Sequence, residues 1–284
     1  MTLPVVVGVD GSEPSLRAVD WACDEAALRG TSVRLVYASL WERYEGTSLA
    51  PGLGDPDEEV TAENVTAEDV VRAAERRAHD RQPDVKVTTD VLPEEPEYAL
   101  VRESRSALAV VLGCRGRGGM TEALLGSVGV SVAGHAHCPV VVLRGGHDNR
   151  VRPGTRGPVV LGVGDRPAGS PAVRFATGEA LLRGVPLEAV RAWRRPARTP
   201  AQERERQAAE VLHRALYDAP AALRVERRLP EAAARDALLA ASRDAGLLVV
   251  GARRRPGHYG LQLGRVAHGV LHRAACPVAV VPEA

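Results

Sequence analysis

The sequence repeats itself. Val6-Val-Gly8-Val-Asp10 returns as Val160-Leu-Gly162-Val-Gly164, and Glu25-Ala-Ala-Leu-Arg-Gly30 returns as Glu179-Ala-Leu-Leu-Arg-Gly184, both 154 residues later. Val110-Val-Leu-Gly113 returns as Leu248-Val-Val-Gly251, and Cys138-Pro-Val as Cys276-Pro-Val, now at an offset of 138. The offset falls by 16, so the first copy carries extra residues between its second and fourth strands. Such a repeat fixes the architecture before any other argument: two copies of one unit. Each unit has about 130–145 residues, enough for its own core. Aromatic residues make up only 3% of the chain against 45% hydrophobic, so the cores must be aliphatic. Near-continuous Val and Leu runs suit strands buried on both faces of a parallel sheet.

In the first copy the pattern predicts strands over 4–10, 31–38, 85–91, 108–113 and 139–144, and helices over 14–29, 62–80, 96–106 and 126–136. Pro14 suits the first turn of a helix and Gly30 its end. The Pro-, Gly- and acid-rich stretch 41–60 reads as an excursion between elements. In the second copy the strands fall over 158–163, 186–192, 222–228, 246–251 and 277–281. Its helices fall over 170–183, 200–218, 231–244 and 264–274. Strands alternating with helices imply an α/β fold with parallel sheets and right-handed crossovers. The expected domains are 1–146 and 158–284, joined by a linker at 147–157 within the turn-rich run from Gly145 to Gly157. The apolar edges after Cys138 and Cys276 invite pairing, so the two copies are expected to meet there as a pseudo-symmetric pair.

One loop carries chemistry. Strand 108–113 opens into Gly113-Cys-Arg-Gly116, nine residues follow, and then Gly126-Ser127 begin a helix patterned by Val128, Val132 and His135. Glycines let a backbone approach an anion, and free N–H groups at a helix start donate to it. The loop lacks the Gly-Lys-Ser/Thr of a P-loop, since the only lysine is Lys86. Nor is it a dinucleotide fingerprint, because it follows a fourth strand and not a first. Gly-x2-Gly-x9-Gly-Ser in this position resembles the nucleotide loop of the universal stress protein family. Val5-Val-Val-Gly8-Val9-Asp10-Gly-Ser12 looks like that family's first strand, and Ala136-His-Cys138-Pro139-Val-Val-Val-Leu143 like its last. The resemblance covers residues 3–145. It implies two tandem doubly wound domains, each a five-stranded parallel sheet of order 3-2-1-4-5. Asp10 and Gly113 then end the two strands at which the chain reverses direction, where ligands of open α/β sheets bind.

The same resemblance implies ATP as the ligand, with Mg2+ held by its phosphates. It implies contacts from Val9, Asp10, Ser12, Val36, Gly113, Arg115, Gly116, Gly126, Ser127 and Val128. Asp10 would meet the adenine or ribose side; its other reading is a cap for the first helix, which Ser12 fits better. Val36 would meet adenine through its backbone and can be core as well. Arg115 and Arg117 either pair with phosphates, which a planar guanidinium suits, or stay solvated. Cys114 reads as a passive loop thiol, and His135 and His137 as surface or cap residues without metal spacing.

The second copy breaks the pattern. Gly164 replaces Asp10, Arg254 replaces Gly116, and Arg265 replaces Ser127, while Gly251 and Gly264 keep the spacing. An arginine at a helix start opposes the helix dipole and fills phosphate space. Arg253, Arg255, Arg191, Arg194 and Arg195 gather in the same crevice, which is either a decayed site or one for a different anion. Its arginines need anions, supplied from outside or by the acidic run Asp55-Pro-Asp-Glu58-Glu59.

A formal net charge of +1 argues against bulk capture of nucleic acid. No stretch is apolar over the roughly 20 residues that span a bilayer, and none has signal-peptide form. Cys23, Cys114, Cys138 and Cys276 show no Cys-x-x-Cys spacing, so the expected setting is reducing and cytosolic. The leading expectation is a stress-response module in which nucleotide occupancy tunes unnamed protein partners. A slow ATPase lacks a general base near the loop, and a ligand-free dimerisation scaffold is the third alternative.

Overall fold

In the computed structural model, the described residues are 2–40, 66–114, 126–144, 157–165, 169–194, 200–253 and 263–283. The first repeat gives β1 (Val5–Gly8), α1 (Glu13–Arg29), β2 (Val33–Ala38), α2 (Ala67–Arg81) and β3 (Val87–Leu92). It continues with α3 (Pro96–Glu103), which tightens into a 3-10 turn at Ser104–Ser106, then β4 (Ala109–Gly113), α4 (Ser127–His135) and β5 (Val140–Leu143). The second repeat gives β6 (Val159–Gly162), α5 (Pro171–Arg183), β7 (Leu187–Val190), α6 (Ala201–Ala215) and β8 (Val225–Arg228). It ends with α7 (Ala234–Ala241), β9 (Leu247–Arg253), α8 (Arg265–Arg273) and β10 (Val278–Glu283). The expected linker and the excursion 41–60 lie almost wholly outside the described residues.

All ten strands form one sheet, ordered β3-β2-β1-β4-β5-β10-β9-β6-β7-β8. Each half is parallel throughout and keeps the 3-2-1-4-5 order. The halves join where β5 and β10 pair antiparallel, Val278 against Val142 and Val280 against Val140. The expected edges after Cys138 and Cys276 thus satisfy each other within one chain. An antiparallel junction relates the halves by a pseudo-two-fold axis, so the carboxyl ends of their strands point to opposite ends of the sheet.

Because side chains alternate along a strand, the sheet has two dry faces. One face packs Val5, Val7, Val111 and Val141 under α1 and α2, and continues through Ala279, Val249 and Leu161 under α5 and α6. The other packs Val6, Val110 and Val142 with Leu100 and Val132, and continues through Val280, Leu248 and Leu271. Each such aliphatic side chain contributes about 1.5–3 kcal/mol by its burial. Both cores run unbroken across the junction, which welds the repeats into one unit.

Charged side chains brace the junction on both faces. On the first, α1 and α5 meet through Glu25, Arg29, Glu179 and Arg183, residues equivalent in pairs under the 154-residue offset. Arg29 reaches Glu25 and Glu179; Arg183 reaches Glu179 and, at 2.8 Å, Glu25. Glu179 is fully buried, and the Arg183 guanidinium also lies 5.6 Å from the Trp21 ring centroid. On the second face, Arg144 beyond β5 donates to the His272 carbonyl at 2.7 Å. A cation at the C-terminal turn of α8 is favoured by the helix dipole.

Among the elements whose bounds depart from the periodicity are one helix and one strand with a visible cause. Helix 231–244 contracts to Ala234–Ala241, because Glu231 bridges Trp193 and Ala232 N–H goes to the Trp193 carbonyl. Strand 277–281 extends to Glu283, because Pro282 and Glu283 stay paired with Ala252 and Arg253 of β9.

Candidate functional site

The first crevice lies where β1 and β4 part, at their carboxyl ends. Val9 follows β1, and its N–H bonds the Val36 carbonyl of β2 at 2.9 Å. Val9 and Val36, two of the expected contact residues, therefore sit side by side, both buried. Gly11 turns the chain with φ of 79°, a conformation that favours glycine. Asp10 Oδ1 then accepts from Ser12 N at 3.0 Å and from Ser12 Oγ at 2.6 Å. Ser12 is the N-cap of α1, accepting from Ser15 N at 3.3 Å. The helix cap is thus Ser12, and Asp10 orients that cap from a half-buried position.

Gly113 ends β4 directly against the first turn of α1. A Cβ there would lie 2.6 Å from the Pro14 carbonyl carbon, so only glycine permits this approach. Gly126 N–H returns to the Cys114 carbonyl at 3.0 Å, which ties the start of α4 to the end of β4. Ser127 is the exposed first residue of α4. Val128 packs partly buried on the second core, as an ordinary helix residue does. Val9, Asp10, Ser12, Val36, Gly113, Gly126 and Ser127 are thereby gathered at one end of the first half. Arg115, Gly116 and Arg117 lie outside the described residues.

The second crevice is built differently. Helix α5 begins one turn later than α1 does, at Pro171, capped by Ser170. The space over Gly251 is filled by the Glu283 carboxylate: a Cβ at Gly251 would meet Glu283 Oε1 at 2.7 Å. Ser170 Oγ donates to that same oxygen. A carboxylate at a helix start is stabilised by the dipole. Across the crevice, Arg191 Nη2 donates to Asp165 at 2.5 Å and Nη1 donates to the Val163 carbonyl at 3.1 Å. Arg191 holds the Asp165 carboxyl below the usual carboxylate range, with Arg253 adding a weaker pull. Arg265 opens α8 behind Gly264, while Arg254, Arg255 and Arg195 lie outside the described residues. One internal carboxylate, Asp165, meets Arg191, while the Glu283 carboxylate meets Ser170. The acidic run 55–59 lies outside the described residues.

Burial pushes the Cys23, Cys138 and Cys276 thiols up to about 12, as core thiols require. His135 Nδ1 lies 2.8 Å from the Ser131 carbonyl one turn back, and His137 N–H bonds Ser104 Oγ. Among the described residues no three His, Cys, Asp or Glu side chains could hold a metal ion together. No described helix is long and apolar enough to cross a membrane. Sequence reasoning missed Asp165 and Glu283. Their only signal was an acid at a position where the first repeat has glycine, at 11 and at 145.

A family model described as the universal stress protein family matches residues 1–144 and again 155–282. A universal stress protein of Mycobacterium tuberculosis (strain H37Rv) is 34% identical over 297 residues, covering 98% of this chain and 97% of its own. One from Mycolicibacterium smegmatis is 32% identical over 290 residues, covering 98% and 96%. The crystal structure of a universal stress protein from Archaeoglobus fulgidus superposes over 99% of this chain and 98% of its own, with a TM-score of 0.71 at 16% identity. That last likeness concerns the fold.

Proposed function

The chain belongs to the universal stress protein family, and we propose that it binds one ATP, in the crevice of its first repeat. The observation that carries the reading is the junction of Gly113, Pro14, Cys114 and Gly126. It ties both anchors of the Gly-x2-Gly-x9-Gly-Ser loop to one point at the strand switch, with the start of α4 beside them. Backbone N–H groups of the first helical turn have no partners within the helix, and phosphate oxygens can take them. Ser127, exposed at that turn, adds a hydroxyl. Val9 and Val36 would flank the base, and the Asp10 carboxylate would face the ribose side. The Arg115 guanidinium would meet the phosphates. Gly116 would give them close backbone approach.

ATP fits these donors. A divalent ion such as Mg2+ would neutralise charge on the phosphates, and it would arrive with them. Residues 1–146 form the nucleotide-bearing unit in this reading, 147–157 the linker, and 158–284 a unit whose role is structural. Occupancy of the crevice would bias the start of α1 and of α4, and through them any protein partner that reads that end of the sheet. The test is calorimetric titration of the full chain with MgATP, together with mass spectrometry of ligand released on denaturation. One site per chain is the expected result; none, or two equivalent sites, would overturn it.

A further inference from the structure

The two crevices differ at a pair of positions that the strand registers make equivalent. Gly8 pairs with Val36 in one half as Gly162 pairs with Val190 in the other. Counting on from these, Gly11 and Tyr37 of the first repeat become Asp165 and Arg191 in the second. Arg191 leaves β7 and turns back across the strand ends. Its guanidinium holds the Val163 carbonyl and the Asp165 carboxylate at once. Val163 stands where Val9 stands in the first half, at the expected base side. Arg191 keeps only 20% of its side chain exposed, whereas Asp165 keeps 82%, so the cation is inserted and the acid lies at the mouth.

We propose that the Arg191–Asp165 pair is a built-in occupant of the base end of the second crevice, and that it restricts the chain to a single nucleotide. A planar guanidinium fills a flat slot much as a base would, and its charge-assisted bonds are stronger than neutral ones. An incoming base would have to displace it, breaking the bond to Val163 and leaving Asp165 unpaired. The substituted loop, with Arg265 at the start of α8, is then a second barrier and not the sole one. This inference rests on the nucleotide reading of the first crevice.

The experiment counts MgATP sites by calorimetry in three full-length chains. The first is the natural chain. The second carries Arg254→Gly, Arg265→Ser and Glu283→Gly, which give the second loop and the space over Gly251 the residues of the first. The third adds Asp165→Gly and Arg191→Tyr, residues with which the first repeat already folds. The expected result is no gain in the second chain and one further site in the third, within about tenfold of the affinity of the first site. A new site in the loop variant alone would overturn the inference, because the pair would then be no barrier. So would a folded third chain with no new site. If the third chain fails to fold, Arg191→Ala in the loop background replaces it and is read the same way. Gains are counted against the natural chain, so absence of ATP from the natural chain refutes the proposed function separately.

Discussion

Glu179→Gln tests whether the ion cluster between α1 and α5 holds the halves together. The carboxylate is fully buried and serves two cations, Arg29 from one repeat and Arg183 from the other. Removing one member of a buried pair costs about 3–5 kcal/mol, because a buried charge is left behind. Here Arg183 keeps Glu25 at 2.8 Å, and Arg29 keeps Glu25 and some solvent, so the lower end applies, about 3 kcal/mol. For 284 residues the unfolding entropy is about 0.6 kcal/mol per kelvin, which converts that loss to a fall of ~5 °C in Tm. Calorimetric melting measures it. Glu25→Gln should cost a similar amount, since the cluster is pseudo-symmetric. The double variant leaves Arg29 and Arg183 facing each other without an acid, and should lose more than the sum. Additive losses, or a Glu179→Gln chain melting within about 1 °C of the natural one, would refute the cluster as a joint.

Gly113→Ala should destabilise by about 1–3 kcal/mol, since its Cβ would crowd the Pro14 carbonyl and push the first turn of α1 away; chemical denaturation and ATP titration should both register it. Burial, then the positive charges of His268, Arg144 and Arg273, lower the pKa of His272 in the folded chain below the ordinary 6.5. The unfolded chain therefore takes up that proton first, and the histidine's contribution is complete above about pH 6.5 and lost as pH falls toward the depressed folded value. Urea midpoints between pH 7 and pH 5 should drop less for His272→Gln than for the natural chain. Thiol labelling of the native chain at pH 8 should leave Cys23, Cys138 and Cys276 untouched, since burial holds them protonated at about 12, and all four cysteines should react after unfolding.

The repeat was legible because homologous positions recur at constant offset, and the parallel halves because aliphatic runs alternate with helical periodicity. Element centres follow from such local pattern, as the match of expected helix 14–29 to Glu13–Arg29 shows. What escaped was long-range. Glu283 meets Ser170 across 113 residues of chain, and Arg191 meets Asp165 across 26. Periodicity carries no information about partners at such separations. The same holds for the end of β10, since only the β9 ladder decides that Pro282 and Glu283 remain in the sheet. In the candidate site, the gathering of Asp10, Ser12 and Gly113 was readable from the switch-point rule. The cap assignment was readable as well, since Ser12 fits an N-cap better than Asp10 does. The Ser12 hydroxyl, 2.6 Å from Asp10, supplies the cap.

Symmetry explains which equivalent positions stayed alike. Residues at the junction face their own counterparts, so Glu25 and Glu179 share both arginines, and a change in either strands charges that belong to the other. Val140 and Val142 are bound crosswise, each facing the other's counterpart, Val280 and Val278, across the β5–β10 ladder. Each such position is constrained twice, once by each half. The crevices are free of this coupling, because the antiparallel junction sends the carboxyl ends of the two sets of strands to opposite ends of the sheet. A substitution such as Arg191 or Glu283 in one crevice therefore leaves the other untouched. The fusion of two repeats conserves the joint and releases one site, which is where this chain keeps Glu25-x3-Arg29 twice but the sequence Asp10-Gly11-Ser12 once.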